Sequence, residues 1–250
     1  MNQWRWRWQK FLILAIATVL IIASGQRIAI SQPEISTGNL PPSKVHPLPP
    51  FLARWQDPTS GDYFPQVDAT PLGYLIWHQF PVKVYVQQPT VVDKSAASQR
   101  FQDWVKTVNM AIAEWSAYLP LQEVDTSETA DITIWRSPPP REIKRNSDTG
   151  LYDIPRAITA ETTYQFYLQQ NPSRIAHKMK IDISPNYTGT SLLATIRHEL
   201  GHALGIWGHS DQETDALYFS QVRDAPQISP RDLNTLKKIY QQPTKLGWKL

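Results

Sequence analysis

Three histidines and one glutamate at fixed intervals, His198, Glu199, His202 and His209, are the residues of this chain best spaced to do chemistry together. His198 and His202 are separated by about 400° of rotation on an α-helix, so both imidazoles project from one face and can bind one metal ion. Glu199 sits beside the first histidine, where its carboxylate can reach a metal-bound water without being a ligand itself. Gly205 stands where such a helix must end, because a residue without a Cβ takes the positive φ that reverses the chain. The reversed segment returns His209 as third ligand. Three neutral imidazoles suit one zinc ion and leave its fourth position open to water, the arrangement of a catalytic centre. Glu199 is then the candidate general base that draws a proton from that water. The chain has no cysteine, which excludes disulfides, thiolate ligands and a cysteine nucleophile.

The plain alternative is an amphipathic helix with incidental histidines. Leu192, Leu193, Ile196, Leu200, Ala203 and Leu204 do form an apolar stripe there. That stripe accounts for the apolar residues but not for three histidines and a glycine at set spacings. With each fixed position matching at roughly 1/20, the full pattern arises by chance in about one chain of this length in ten thousand.

The elements that must position these residues can be read upstream and downstream. Val82 to Val86 alternates as a strand, and Ser95 to Leu119 carries Phe101, Trp104, Val105, Val108, Ile112, Trp115 and Leu119 at helical steps before Pro120 stops it. Leu121 to Val124 and Asp131 to Trp135 read as short strands, and residues 136 to 155 as a long loop. Ala157 to Leu168 and Arg174 to Ile183 are β-rich and adjacent across Asn171-Pro172, as in an antiparallel pair. The motif helix is expected to start near Thr190 or Ser191, either of which can cap it. A last helix follows Ser229 as cap, with Pro230 in its first turn and Leu233, Leu236, Ile239 and Tyr240 facing the core.

At this point the chain resembles the metzincin zinc endopeptidases, and within them the matrixin-like catalytic domain. The resemblance covers about residues 74–242 and is carried by HELGHALGIWGHS, by PVKVYV and ADITIW upstream, and by ISPRDLNTLKKIY at the end. It implies an α+β fold, a twisted mixed sheet packed on helices, with the active-site helix carrying His198, Glu199 and His202. It also implies peptide or protein substrates, lying extended along an edge strand within Ala157 to Leu168, and hydrolysis by zinc-activated water. The family is named for a methionine in a tight turn beneath the metal; here Leu217 takes that place within Asp215-Ala216-Leu217-Tyr218-Phe219. Leu and Met are near in volume, so the apolar floor is expected to survive. Tyr218 is expected as a wall of the specificity pocket. Thiol-on-zinc latency cannot operate through this chain, and the 136–155 loop lacks an evident second zinc site, so one zinc is expected.

Outside that region, residues 1–25 read as a targeting segment. Arg5, Arg7 and Lys10 precede an apolar run from Phe11 to Ala23, and Ala23-Ser24-Gly25 suits cleavage. The segment is either a cleaved signal peptide or a retained anchor tethering the chain through residues 11–23, and either places the remainder outside the cytoplasmic membrane. It also holds the whole net charge of +3, leaving 22 basic and 22 acidic residues in the remainder, so no nucleic-acid partner is expected. Residues 26–73 are proline-rich and read as a linker or pro-region whose end, with Trp55, Tyr63 and Phe64, packs on the domain; 243–250 reads as a tail. A monomer is expected. His46 and His78 read as ordinary histidines, although His46 as a cap on the zinc is a further option. His177 is a candidate for an extra metal role, Asp182 reads as a solvated carboxylate, and Asp211 and Glu213 as surface charges. Asp148 and Asp153 make calcium possible, but it is not expected. Trp207 packs under the metal loop or lines the cleft. The competing function is a non-catalytic zinc-binding interaction module of the cell envelope with the same fold, favoured by Leu217 alone and opposed by the retained Glu199.

Overall fold

The computed structural model describes residues 40–140, 144–145, 152–153, 159–220 and 224–250. The targeting segment and Asp148 lie outside the described residues. Alternation in the sequence becomes a five-stranded sheet. Its strands are β1 (Val82–Val86), β2 (Leu121–Glu123), β3 (Ile132–Trp135), β6 (Ala160–Gln169) and β7 (Arg174–Ile183), in the spatial order β2-β1-β3-β7-β6. Short strands β4 (Lys144–Arg145) and β5 (Tyr152–Asp153) pair separately and antiparallel. The first four strands of the sheet run parallel, and β6 alone runs antiparallel to its neighbour β7. This is the expected α+β architecture with a mixed sheet, and β6 forms its edge.

Strand residues of one parity, Val82, Val84, Val86, Ile132, Ile134, Met179, Ile181 and Ile183, are buried. Two long helices complete that core. In α2 (Ala96–Ser116), capped by the Ser95 hydroxyl on the Ser98 amide, Trp104, Val108, Ala111, Ile112 and Trp115 are buried. In α3 (Gly189–Ala203), Leu192, Ile196, Leu200 and Ala203 are buried. α3 starts a residue or two earlier than the cap chemistry suggested: Thr188 is its cap position and makes no side-chain cap bond, while the Ser191 hydroxyl turns back onto the Thr188 carbonyl. The last helix, α4 (Pro230–Tyr240), has the expected Ser229 cap, completed by Asp232 into a reciprocal capping box.

Residues 40–73 differ from a free linker. Lys44 exchanges backbone hydrogen bonds with Thr244 at 3.0 and 2.9 Å, and the short helix α1 (Pro50–Arg54) buries Leu52. Trp55 donates to the Asn234 side chain, and Tyr63 is buried under α4. Prolines remove backbone donors and fix φ, yet the apolar residues between them still gain by burial. The 243–250 segment is equally packed: Thr244 and Leu246 are buried, and the Gly247 and Leu250 amides bond to the Ile175 and Ser173 carbonyls. No helix among the described residues is long and apolar enough to cross a membrane.

His46, His78 and His177 fall in this packing rather than at a metal. His46 bonds to the Leu246 carbonyl and stacks on Trp248, and His78 lies against Gly247. His177 stacks on Trp77 at 4.1 Å between ring centroids. Burial, then the neighbouring His78, lowers His177 from 6.5 to about 3. A histidine that titrates near 6.5 only when unfolded favours the unfolded state as pH falls, so its contribution is complete above about 6.5 and lost toward 3. We expect the stability difference between His177→Phe and wild type, measured by urea unfolding, to shift in favour of the variant by on the order of 3 kcal/mol from pH 7 to pH 4. Parallel pH profiles for the two proteins would contradict this.

Candidate active site

His198, Glu199 and His202 stand on the last two turns of α3, and the end of that helix is closed by a full Schellman arrangement. The Gly205 amide bonds to the His202 carbonyl and the Ile206 amide to the Gly201 carbonyl, both at 3.0 Å. Gly205 takes φ 128°, and a Cβ there would come 2.5 Å from the Leu75 carbonyl oxygen, so both the turn and the close approach require glycine. Other helix-end carbonyls receive side-chain donors: Ala203 from Trp77 Nε1 at 2.9 Å, and Leu204 from the Tyr240 hydroxyl at 3.1 Å. The reversal brings His209 back, and one ligand atom from each of His198, His202 and His209 lies within 4.8 Å of the others.

Two carbonyls aim the rings. His198 Nδ1 lies 2.9 Å from the Ala216 oxygen and His202 Nδ1 2.7 Å from the Ile206 oxygen. A carbonyl only accepts, so each Nδ1 carries the proton and each Nε2 presents a lone pair. Those two Nε2 atoms face each other at 3.0 Å. Two lone pairs so placed repel unless a cation lies between them. Their separation is close to the about 3.3 Å that two nitrogens 2.0–2.1 Å from one tetrahedral zinc adopt. The donor set therefore fits zinc. Burial depresses all three histidines, His198 to about 4 with His209 adding to the effect, and this keeps them neutral, the form in which an imidazole can bind a metal.

Glu199 is buried at the floor of a cleft of about 830 Å³. Its burial pushes the carboxyl up to about 7; the Thr162 hydroxyl opposes that rise and the charge of Glu161 adds to it. The cleft is lined by Thr159 to Thr162 of the edge-strand region, by Ser191, Ala194 and Thr195 of α3, by Trp207 to His209, and by Ala216, Tyr218, Phe219 and Pro226. Tyr218 thus lines the cleft as expected, and so does Trp207, whose ring meets Tyr164 and His202 edge-on. Phe219, beside Tyr218, is 64% exposed at this rim.

Asp68 also lines the cleft, which the sequence did not signal. The Val67 backbone pairs with Gly208, and the Asp68 amide bonds to the Trp207 carbonyl, so the segment after Tyr63 forms part of the cleft wall. A second residue whose part in the site the sequence did not signal is Asp232. Legible as the third residue of the Ser229 capping pattern, it is fully buried and accepts from the Tyr63 hydroxyl at 2.5 Å, the Ser229 amide at 2.8 Å and the Ala216 amide at 2.9 Å. It ties the N-terminal segment to the turn whose Ala216 carbonyl orients His198. Asp215 is buried too, taking the Ser210 hydroxyl and Arg231, whereas Asp211 and Glu213 are exposed as expected. Asp182 departs from the solvated reading. It is buried, accepts from Ser137 at 2.6 Å and pairs with Lys180 at 2.6 Å, because both lysine and aspartate stand on one face of β7.

Residues 90–241, more than half of the chain, match the family model described as matrixin. The chain belongs to the matrixin family. The matrixin match spans α2 through α4, so it covers the edge strand, the active-site helix, the returning His209 loop and the turn beneath them. Residues 90–241 are accordingly a matrixin-like metzincin catalytic domain, and the family is one of zinc-dependent metalloendopeptidases. In this matrixin Leu217 is fully buried and its side chain lies directly on Gly201, where any Cβ would overlap it. Glycine one position before His202 thus makes room for the apolar floor. Leu217→Met should cost under about 1.5 kcal/mol and leave metal stoichiometry unchanged. Leu217→Ala should cost about 2–5 kcal/mol; chemical unfolding with metal analysis checks both, and an Ala variant as stable as wild type would refute the floor.

Proposed function

We propose that this matrixin is a zinc-dependent endopeptidase acting outside the cytoplasmic membrane, with His198, His202 and His209 as zinc ligands and Glu199 as general base. The observation that carries this reading is the convergence of two carbonyl-aimed imidazoles and His209 on one point beside a buried glutamate in an open cleft. A zinc ion held there supplies Lewis acidity, bringing a water's pKa toward neutrality and polarising a peptide carbonyl. Glu199 accepts the proton of the attacking water and returns it to the departing amine, as base and then as acid. His198 and His202 keep their aim through the Ala216 and Ile206 carbonyls while charge develops beside them.

The substrate is a peptide or protein segment in extended form. Among the described residues β6 pairs with β7 on one side only, and its start lines the cleft, so a peptide can add along it as a further strand through main-chain hydrogen bonds. Export follows from the basic, then apolar, segment of residues 1–25. The non-catalytic alternative rested on Leu217, and the packing of that side chain on Gly201 supplies the apolar floor a methionine would, so nothing specific favours it.

The test is a mixed peptide library incubated with zinc-loaded wild type, Glu199→Ala and His202→Ala, with metal content measured on each. Wild type should cut. Glu199→Ala should keep its zinc and lose about 10²–10⁴-fold in kcat, and His202→Ala should lose zinc and activity together. A zinc-loaded, fully active Glu199→Ala protein would sink the scheme.

A further inference from the structure

We propose that Thr162, on edge strand β6, is a positioning residue that holds the Glu199 carboxylate by one oxygen and leaves the other for the reacting water. The proposal rests on the reading of Glu199 as general base. Thr162 Oγ1 donates to Glu199 Oε2 at 2.6 Å and lies 3.1 Å from the main-chain oxygen of the same residue. No other donor reaches the carboxylate among the described residues, so its orientation depends on this one hydroxyl. A buried threonine hydroxyl needs an acceptor in any case, and the main-chain oxygen alone would meet that need. The shorter contact goes instead to the carboxylate, where an ionised acceptor makes the stronger bond.

The hydroxyl is presented by rigid parts. Thr162 is β-branched and stiff at χ1. Its inward direction is fixed by register, since Thr162 pairs with Ile181 and a slip of one residue would turn Thr163 inward instead. Glu199 in turn is fixed by α3, whose buried stripe packs against the same sheet. Strand and helix therefore meet through a single hydrogen bond at the group that must receive a proton. A carboxylate free to rotate would spend less time aligned with the water, which lowers turnover and not substrate affinity.

Thr162→Val removes the hydroxyl at constant shape, and Thr162→Ser keeps it. With zinc content and circular dichroism unchanged, Thr162→Val should lower kcat by about 10- to 100-fold, the weight of a hydrogen bond to a charged group, with KM within about twofold. Thr162→Ser should recover most of the loss. A Thr162→Val protein with wild-type kcat, a fall carried by KM, or no recovery in Thr162→Ser would overturn the proposal. A second measurement needs no activity: urea unfolding of wild type, Thr162→Val, Glu199→Gln and the double variant. Non-additive stabilities support the hydroxyl–carboxylate link, and additive ones overturn it. Failure of wild type to cut any peptide would count against the peptidase reading, while this cycle would still decide the link.

Discussion

A carboxylate withdrawn wholly from water must be met by donors, and Asp232 imposes that requirement on three separate stretches of chain. Its partners are the Tyr63 hydroxyl, the Ser229 amide and the Ala216 amide. A buried charge left short of hydrogen bonds costs far more than the bonds return when made. The segment ending at Tyr63, the start of α4 and the turn above Leu217 are therefore fixed relative to one another. The Ala216 peptide unit carries this constraint to the histidine cluster: its amide is held by Asp232 and its carbonyl aims His198. Burial raises the Asp232 carboxyl, and the three donors work against that rise.

The active-site helix is fixed by similar means at its other contacts. Arg197 forks onto Glu114 of α2 and reaches the Pro226 carbonyl, while Trp115 donates to the Arg197 carbonyl. Trp77 and Tyr240 donate to carbonyls at the helix end, and Gly205 lets the chain turn against Leu75. Apolar burial of Leu192, Ile196 and Leu200 supplies the driving force, but these directional bonds set the depth and rotation of α3. Rotation matters because the imidazoles, Glu199 and Thr162 must face the same opening. The geometry of this site is a property of the interface between one helix, one edge strand and one returning loop.

The N-terminal and C-terminal segments show why composition is a weak guide to packing. Six prolines between Pro33 and Pro50 read as a linker or pro-region packed at its end by Trp55, Tyr63 and Phe64, yet already from Lys44 and His46 the chain is bonded, to Thr244 and Leu246. Proline limits the backbone without preventing side chains such as Leu52 and Tyr63 from reaching a core. The same failure applies to Asp182, where sequence gives no sign that Ser137 reaches its carboxylate. By contrast α2, α4, the β6–β7 pair and the Gly205 turn were all legible, because each is coded by short-range periodicity, a cap or a glycine.

What the sequence by itself determined was the local chemistry: two imidazoles and a carboxylate at helical spacing, a glycine to reverse the chain, and a third imidazole just beyond it. These follow from backbone geometry that repeats every few residues, so they can be read without the fold. Only the tertiary structure decided that Ala216 and Ile206 aim the rings, that Asp232 holds the turn, that Asp68 lines the cleft, and that Thr162 meets Glu199. Apart from His202 and Ile206, which are 4 residues apart, these contacts join residues distant in the chain, from 18 between His198 and Ala216 to 169 between Tyr63 and Asp232. No local pattern encodes such pairs, since they exist only once burial has brought strand, helix and loop into one core.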